Sequence, residues 1–408
     1  MSQQTELVHG QANSLKTSPT NNKLLVYTTI LLFVLGAIYL ANYISGVQAS
    51  LYIVGGVLGV ALFHAHYGFT SSFRAFLTEG RGVGLRAQMI LFGLANLLFL
   101  PFLLKGEAFG HALTGYVQPV GVSLLVGAFI FGIGMQMGDG CASGTLYHIG
   151  GGDGRGVVTL VGFVIGSVIG SAHFTWWTST PHLEPISFLN AFGPAGGLLF
   201  NLLLMAIVFI ISIIIERRRR GSLQSLFSDE PFTLKKFIQG PWSWMTGTVV
   251  LAIGSLAVLL LSGKPWGVTY AFVLWGAKIS RFLGIPVEQW GFWQAEANAN
   301  ALNASIFQDV TTVLNFGVML GALLAVALST KAINFSIRQY PAKMIVGLLI
   351  GGILMGYGAR LAFGCNIGAY FAGIASFSLH GWIWMIMAML GSIIGIKFRT
   401  VCGFKSKG

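Results

Sequence analysis

The sequence predicts an all-α polytopic membrane protein of about ten transmembrane helices, arranged as two inverted-topology repeats with short re-entrant half-helices. Three observations carry that prediction. The 408 residues are 54% hydrophobic and only 9% charged, where a soluble domain carries roughly a quarter charged residues. Mean hydropathy is +0.76, and several apolar runs approach the ~20 residues that cross a hydrocarbon core. The chain also repeats itself: "VGAFIFGIGMQMGDGCASGTLYHIGG" (126–151) aligns with "IGGILMGYGARLAFGCNIGAYFAGIA" (350–375) at a constant offset of 224.

In chain order, residues 1–23 are polar and lack the basic, apolar and small-residue regions of a signal peptide, so they read as a disordered cytoplasmic tail. Candidate spans follow at approximately 24–45, 51–66, 87–104, 120–138, 157–175, 198–215, 241–262, 310–329, 344–363 and 381–397. The net charge of +12 sits in a few short loops, foremost "ERRRR" at 216–220. That clustering fits the positive-inside rule, and contact with anionic lipid headgroups, better than nucleic-acid binding. Placing 216–240 in the cytoplasm puts Arg74, Arg81 and Arg86, then Lys331, Arg338 and Lys343, and the tail at 401–408 with Lys405 and Lys407 on the same side. The segment 263–309 then falls outside, and both termini are cytoplasmic. Three cysteines in this length make no disulfide framework.

The repeat organises the rest. Gly127, Gly132, Gly134, Gly140, Cys141 and Gly144 fall on Gly351, Gly356, Gly358, Gly364, Cys365 and Gly368. After a one-residue indel, "GSVIG" (166–170) falls on "GSIIG" (391–395), and "GFTSSF" (68–73) faintly matches "GVTYAF" (267–272). The expected domains are an additional transmembrane helix (24–45), a first repeat unit (46–178), a linking helix with a basic cytoplasmic loop (179–240) and a second unit (241–400). Each unit reads as span, short loop, span, span, Gly-Cys loop, span. The single linking span inverts the second unit. Inverted repeats are the plan of many transporters, with the binding site near the midplane. The two Gly-Cys loops would dip toward one another from opposite faces.

Cys141 and Cys365 each follow a glycine, end a span and precede a segment too short to cross. Irregular backbone at membrane depth is tolerated only where protein buries it or a wet cavity meets it. The half-helices that follow would aim N–H groups at the midplane, an anion-favouring arrangement. A thiol there offers S–H contacts to a soft sulfur-containing anion; the plainer reading is a small buried hydrophobe. Their matching positions favour the first. Gly140 and Gly364 are candidates for backbone approach to a ligand, whereas the other glycines suit helix packing.

Arg360, five residues before Cys365, is expected to attract an anion, to pair with Asp139 or to snorkel. Asp139 reads as a proton carrier or a loop cap, with Phe363 in its place in the second unit. Arg74 would draw anions to the inner mouth or anchor the inner surface; Lys278 and Arg281 would act likewise outside. Thr70 and Ser71, with Thr269 opposite, offer hydroxyls. His148 is a proton relay or a packing residue, and His64 and His66 are a weak metal pair at a helix end. "GGGDGRG" (150–156) lacks the Lys-Ser/Thr of a P-loop, which argues against an ATP-driven pump. No catalytic residue, metal site or cofactor is expected, and the chain does not read as an enzyme.

At "GDGCASG", "GARLAFGCNIGAYFAGI" and "SLHGW" the sequence resembles the YeeE/YedE family of bacterial inner-membrane sulfur-compound transporters. With "GFTSSFR" the likeness runs from about 50 to 400, closest to the YedE branch. The resemblance implies an hourglass fold plugged from both sides by loops, with thiosulfate passing between cysteines through S–H···S contacts. That implicates Cys141 and Cys365. Thiosulfate members are expected to carry a third cysteine near "GFTSSFR"; here Thr70 and Ser71 stand there, and Cys402 lies at the tail. The YedE branch is associated with selenium metabolism. The expected function is import of a small sulfur-containing inorganic anion such as thiosulfate. The alternatives are a selenium-compound transporter, a membrane thiol-redox protein, or a docking subunit for a soluble cytoplasmic sulfur-carrier protein on the basic face. The expected partners are that anion, the lipid bilayer and such a carrier, with no nucleic acid.

Overall fold

The computed structural model describes residues 22–228, 233–329 and 335–404. Residues 1–21 and 405–408 of the expected tails, and Lys331, lie outside the described residues. The elements that position the site are α1 (Asn22–Tyr43), α2 (Gly46–His64), α3 (Phe69–Glu79), α4 (Val83–Lys105), α5 (Val122–Met137), α6 (Ala142–Gly150), α7 (Gly154–Ala172) and α8 (Phe188–Arg220). There follow α9 (Trp244–Ser262), α10 (Thr269–Phe282), α11 (Val310–Leu328), α12 (Ala342–Leu361), α13 and α14 (Leu379–Val401). Element α13 is a π-helical turn, Asn366–Phe371, continued by Ala372–Ala375. Among the described residues, sheet is limited to two antiparallel pairs, Glu107–Ala108 with His111–Ala112 and Val120–Gly121 with His182–Leu183.

Among the described residues ten helical segments are long and apolar enough to cross a bilayer. They coincide with the ten expected spans. The largest difference is at α8, which starts at Phe188 rather than near 198 because it continues through a kink at Gly193 (φ 72) and Pro194. Helices α1 and α8 turn Leu31, Leu35 and Ile38, and Leu199, Leu203 and Ile210, outward. Such stripes are stable where lipid, not water, is the solvent.

Two helices stand where the sequence suggested loops. Element α3 is a half-length helix after α2, and α10 is its counterpart after α9. The reading of 263–309 as wholly external is therefore corrected: α10 buries Ala271, Phe272, Leu274 and Ala277 against the bundle, in contact with α7, α11 and α12. Its 14 residues span only about 21 Å, too short to cross and too polar at Lys278 and Arg281 to register as a span. Nor do those two cations face a pathway. Lys278 Nζ donates to the carbonyls of Leu302 and Ala304 (2.7 and 2.6 Å), and Arg281 donates to Asn303 Oδ1 (2.8 Å). They hold the helix Glu296–Asn303 onto α10.

The repeat is visible in the packing. Helix α5 packs on α14 as α12 packs on α7; α2 packs on α11 as α9 packs on α4; α6 packs on α11 as α13 packs on α4. The self-paired contacts, α5 with α12 and α2 with α9, lie at the centre. These main contacts between the units come in reciprocal sets, as a two-fold relation requires. The glycines obey it too. A Cβ at Gly134 would lie 2.7 Å from Gly351 O, and one at the equivalent Gly358 would lie 2.6 Å from Gly127 O. A Cβ at Gly391 would collide with Phe129 O, and one at its counterpart Gly166 with Ile353 O.

These obstructing atoms are main-chain oxygens in neighbouring helices, which cannot rotate away. Gly391→Val is expected to destabilise the bundle by about 1–3 kcal/mol or more. A thermal melt of the purified protein checks this, and an unchanged melting temperature would mean that α5 and α14 do not approach so closely.

Candidate functional site

The first half-helix site begins where α5 ends. The chain turns through Asp139 in the left-handed region (φ 58), and Cys141 then sits extended (φ −86, ψ −170) as the N-cap of α6. In the second unit Phe363 takes φ 61, Gly364 takes φ 151, and Cys365 is extended (φ −105, ψ −166) at the N-cap of α13. Thr145 N donates to Cys141 O and Ala369 N donates to Cys365 O, each at 2.8 Å. Each sulfur faces the backbone N–H groups two and three residues on, Ser143 and Gly144 in one unit, Ile367 and Gly368 in the other. An N-cap normally presents an oxygen that bonds those donors; here neither thiol makes a cap hydrogen bond, and Cys141 Sγ instead lies 3.3 Å from Ser143 Oγ. Both are free thiols, 2% and 0% exposed.

The expected role of glycine beside each cysteine divides. Gly364 needs to be glycine, because its φ of 151 is disfavoured for side chains and a Cβ would lie 2.8 Å from Ala369 N. At Gly140 a Cβ would meet nothing nearer than 3.5 Å, so the backbone there does not demand it.

Two cavities approach the pair. One, of about 650 Å³, has Gly364 and Gly368 in its wall with Arg360, Thr269, Tyr116 and Phe292. The other, of about 210 Å³, is lined by Cys141, Gly140, Thr70, Ser71, Arg74 and Asp139, among others. They share no lining residue. Each ends on one Gly-Cys loop.

In the larger cavity Arg360 is 8% exposed, and its Nη2 donates to Thr269 Oγ1 at 2.8 Å. Its Nε has no partner, and the guanidinium stands 5.9 Å from the Phe292 ring centroid. Among the described residues no carboxylate pairs with it; its electrostatic neighbours are Tyr116, Tyr270 and Cys365. The expected alternative of an Arg360–Asp139 pair is not formed, because Asp139 lines the other cavity. Tyr116 donates its O–H to Phe363 O and so fixes the loop before Cys365. Burial, partly offset by the Arg360 charge, pushes the Tyr116 phenol up to about 12, so it stays a donor at neutral pH. Beside Cys365, Asn366 is fully buried with neither side-chain amide atom partnered. Buried orphans of that kind are rare in folded proteins.

In the smaller cavity Asp139 is neither a free proton carrier nor a plain loop cap. It meets Arg399 at 2.7 Å, Arg155 at 2.8 Å and Arg74 at 3.4 Å. Arg74 therefore lines the cavity that ends at Cys141. Thr70 Oγ1 is buried without a partner, whereas Ser71 Oγ donates to Gly68 O. His148 stacks on Tyr147 and lies 3.7 Å from Asp153. His64 Nε2 is engaged at 3.1 Å with Ile238 O.

Sequence reasoning missed Arg155, which entered only within "GGGDGRG", and Arg399 and Asn366, which it did not single out. It also missed that Gln136 is the counterpart of Arg360. Gln136 lies 224 residues before Arg360 and donates to the main-chain oxygen of Thr70 (3.3 Å), where Arg360 donates to the side-chain hydroxyl of Thr70's counterpart Thr269. The offset alone carried that signal.

Ten spanning segments in two reciprocal units, with opposed half-helices between separate cavities, define a multi-pass membrane protein with the architecture of a transporter. The chain belongs to the sulphur transport family, whose model matches residues 64–394. Two proteins called probable transporter YedE, from Salmonella typhimurium and Escherichia coli, are each 35% identical over 165 residues, 40% of this chain. The match spans 39% of the length of those relatives. The thiosulfate transporter TsuA of Spirochaeta thermophila is 26% identical over 353 residues, 83% of this chain and 95% of that protein.

Proposed function

We propose that the chain imports a small sulfur-containing inorganic anion, thiosulfate or a close sulfur or selenium relative, across the bacterial inner membrane. It does so as a transporter and not as an enzyme. The observation that carries this reading is the pair of thiols at the N-caps of two reciprocal half-helices, each loop in the wall of its own cavity. Half-helix N–H groups favour negative charge, and a thiol is a soft, weak donor suited to a polarisable sulfur. The name of the TsuA relative points to thiosulfate. Cys365 receives the anion from the larger cavity and Cys141 passes it to the smaller one, with Thr70 at the position where the third thiol is absent.

The basic residues orient the protein. Arg219 and Arg220 reach Leu77 O and Glu79 at the end of α3, so the arginine run and the α3 loop share a face. By the positive-inside rule that face is cytoplasmic, which also puts both termini there. The larger cavity then opens outward. Because two of the four arginines at 217–220 engage the protein itself, the run is less available to a soluble sulfur carrier.

The purified chain in liposomes is expected to take up labelled thiosulfate above protein-free vesicles. Unlabelled thiosulfate and soft selenium analogues should compete, and sulfate should compete weakly. No uptake of any labelled sulfur or selenium anion would overturn the proposal.

A further inference from the structure

The two loops differ in one respect that the backbone does not explain. Asp139 and Phe363 occupy equivalent positions with nearly the same φ, 58 and 61. Since phenylalanine forms the turn in one unit, the turn does not require aspartate in the other. What Asp139 adds is a charge. Three arginines converge on it from three separate helices, Arg74 of α3, Arg155 of α7 and Arg399 of α14, all within 3.4 Å. Among the described residues only Arg155 has a further carboxylate, Asp153, at 2.6 Å. Arg74 and Asp139 line the cavity that ends at Cys141. The opposite cavity differs: it is lined by a carboxylate too, Asp309, but that one caps a helix through Thr311 and Thr312, and among the described residues no carboxylate pairs with its buried arginine, Arg360.

We propose that Asp139 is a resident counter-anion that occupies the arginine cluster at the Cys141 cavity and thereby lets the transported anion leave. This rests on the transport reading above. Guanidinium groups bind carboxylates and oxyanions through the same charge-assisted contacts. Left empty, a three-arginine cluster in a partly buried cavity would hold an oxyanion arriving from Cys141. With Asp139 in place one Nη of each arginine is engaged and a charge is neutralised, and Asp153 neutralises another, so the anion is attracted less strongly than by the bare cluster. Arg360, with no such occupant, captures. The protein is thus built to bind on one side and release on the other, by the placement of a single carboxylate.

Asp139→Asn tests this, because asparagine tolerates the left-handed region as well as aspartate does and only the charge is lost. Binding of sulfate and of thiosulfate to the purified protein is measured by titration calorimetry, and thiosulfate uptake by liposome assay. The expected result is at least tenfold tighter binding of both anions, weakened by salt. In uptake, KM and kcat should fall together, as for a trapped substrate. Adding Arg399→Gln should return affinity toward that of the unaltered protein. If the single variant is not monodisperse, the double variant against Arg399→Gln alone reads the same effect. Unchanged affinity on removing the Asp139 charge in both backgrounds would overturn the proposal. Binding is read with sulfate as well, so failure of thiosulfate uptake in the unaltered protein would sink the transport reading and leave this measurement decisive.

Discussion

Cys365→Ala and Cys141→Ala are each expected to lower thiosulfate uptake at least a hundredfold, to the level of empty vesicles, while the protein still inserts and stays monodisperse. Insertion should survive because cysteine buries as a small hydrophobe and alanine leaves only a small cavity at a site 2% exposed or less. The main-chain bonds that start the half-helices, Thr145 N to Cys141 O and Ala369 N to Cys365 O, involve no side-chain atom. What goes is the soft donor facing the N–H groups of the first turn. Serine keeps a donor of similar size but loses the polarisable sulfur, so Cys→Ser at either position should retain under a tenth of the rate. Near-normal uptake by both alanine variants would eliminate the relay and leave the thiols as packing atoms. Because the two positions are equivalent, the losses should be similar, and the double variant should be no worse than either alone.

Arg360→Gln should raise the half-saturating thiosulfate concentration ten- to a hundredfold, with a smaller effect at saturation. Glutamine is what the other unit carries at this position, Gln136, so the fold accommodates it. Hydrogen bonds to charged groups contribute about 1.5–3 kcal/mol, each 1.4 kcal/mol being a factor of ten. Arg360→Lys should recover only part of the affinity. Its point charge cannot reach Thr269 and the anion with the fork of a guanidinium. Rates measured against substrate concentration decide; an unchanged half-saturating value would mean that Arg360 serves only to brace α12 against α10.

Much of the fold was legible because its signals are local or periodic. Spans show as apolar runs, and the duplication shows as glycines at a fixed offset. The half-length helices α3 and α10 escaped because they are too short and too mixed in polarity to stand out. At the site, the cysteines were legible from the same offset. The arginine cluster was not, since residues 74, 139, 155 and 399 meet only once helices from both units are packed. Arginines near helix ends look alike in a sequence whether they mark the cytoplasmic face or converge on a buried carboxylate. Lys278 and Arg281 show the opposite error: charges that suggested a pathway instead bind carbonyl and amide oxygens.

The glycine contacts along α5, α7, α12 and α14 carry a last consequence. Gly134 against Gly351 and Gly358 against Gly127 are one contact made twice, with each unit supplying both sides. That is the definition of an isologous interface, the kind that joins the subunits of a two-fold homodimer. Within this single chain, the two units therefore meet as the subunits of such a dimer do, at equivalent positions from both sides. The covalent link through α8 fixes which way up each copy sits; the fit between them does not depend on it.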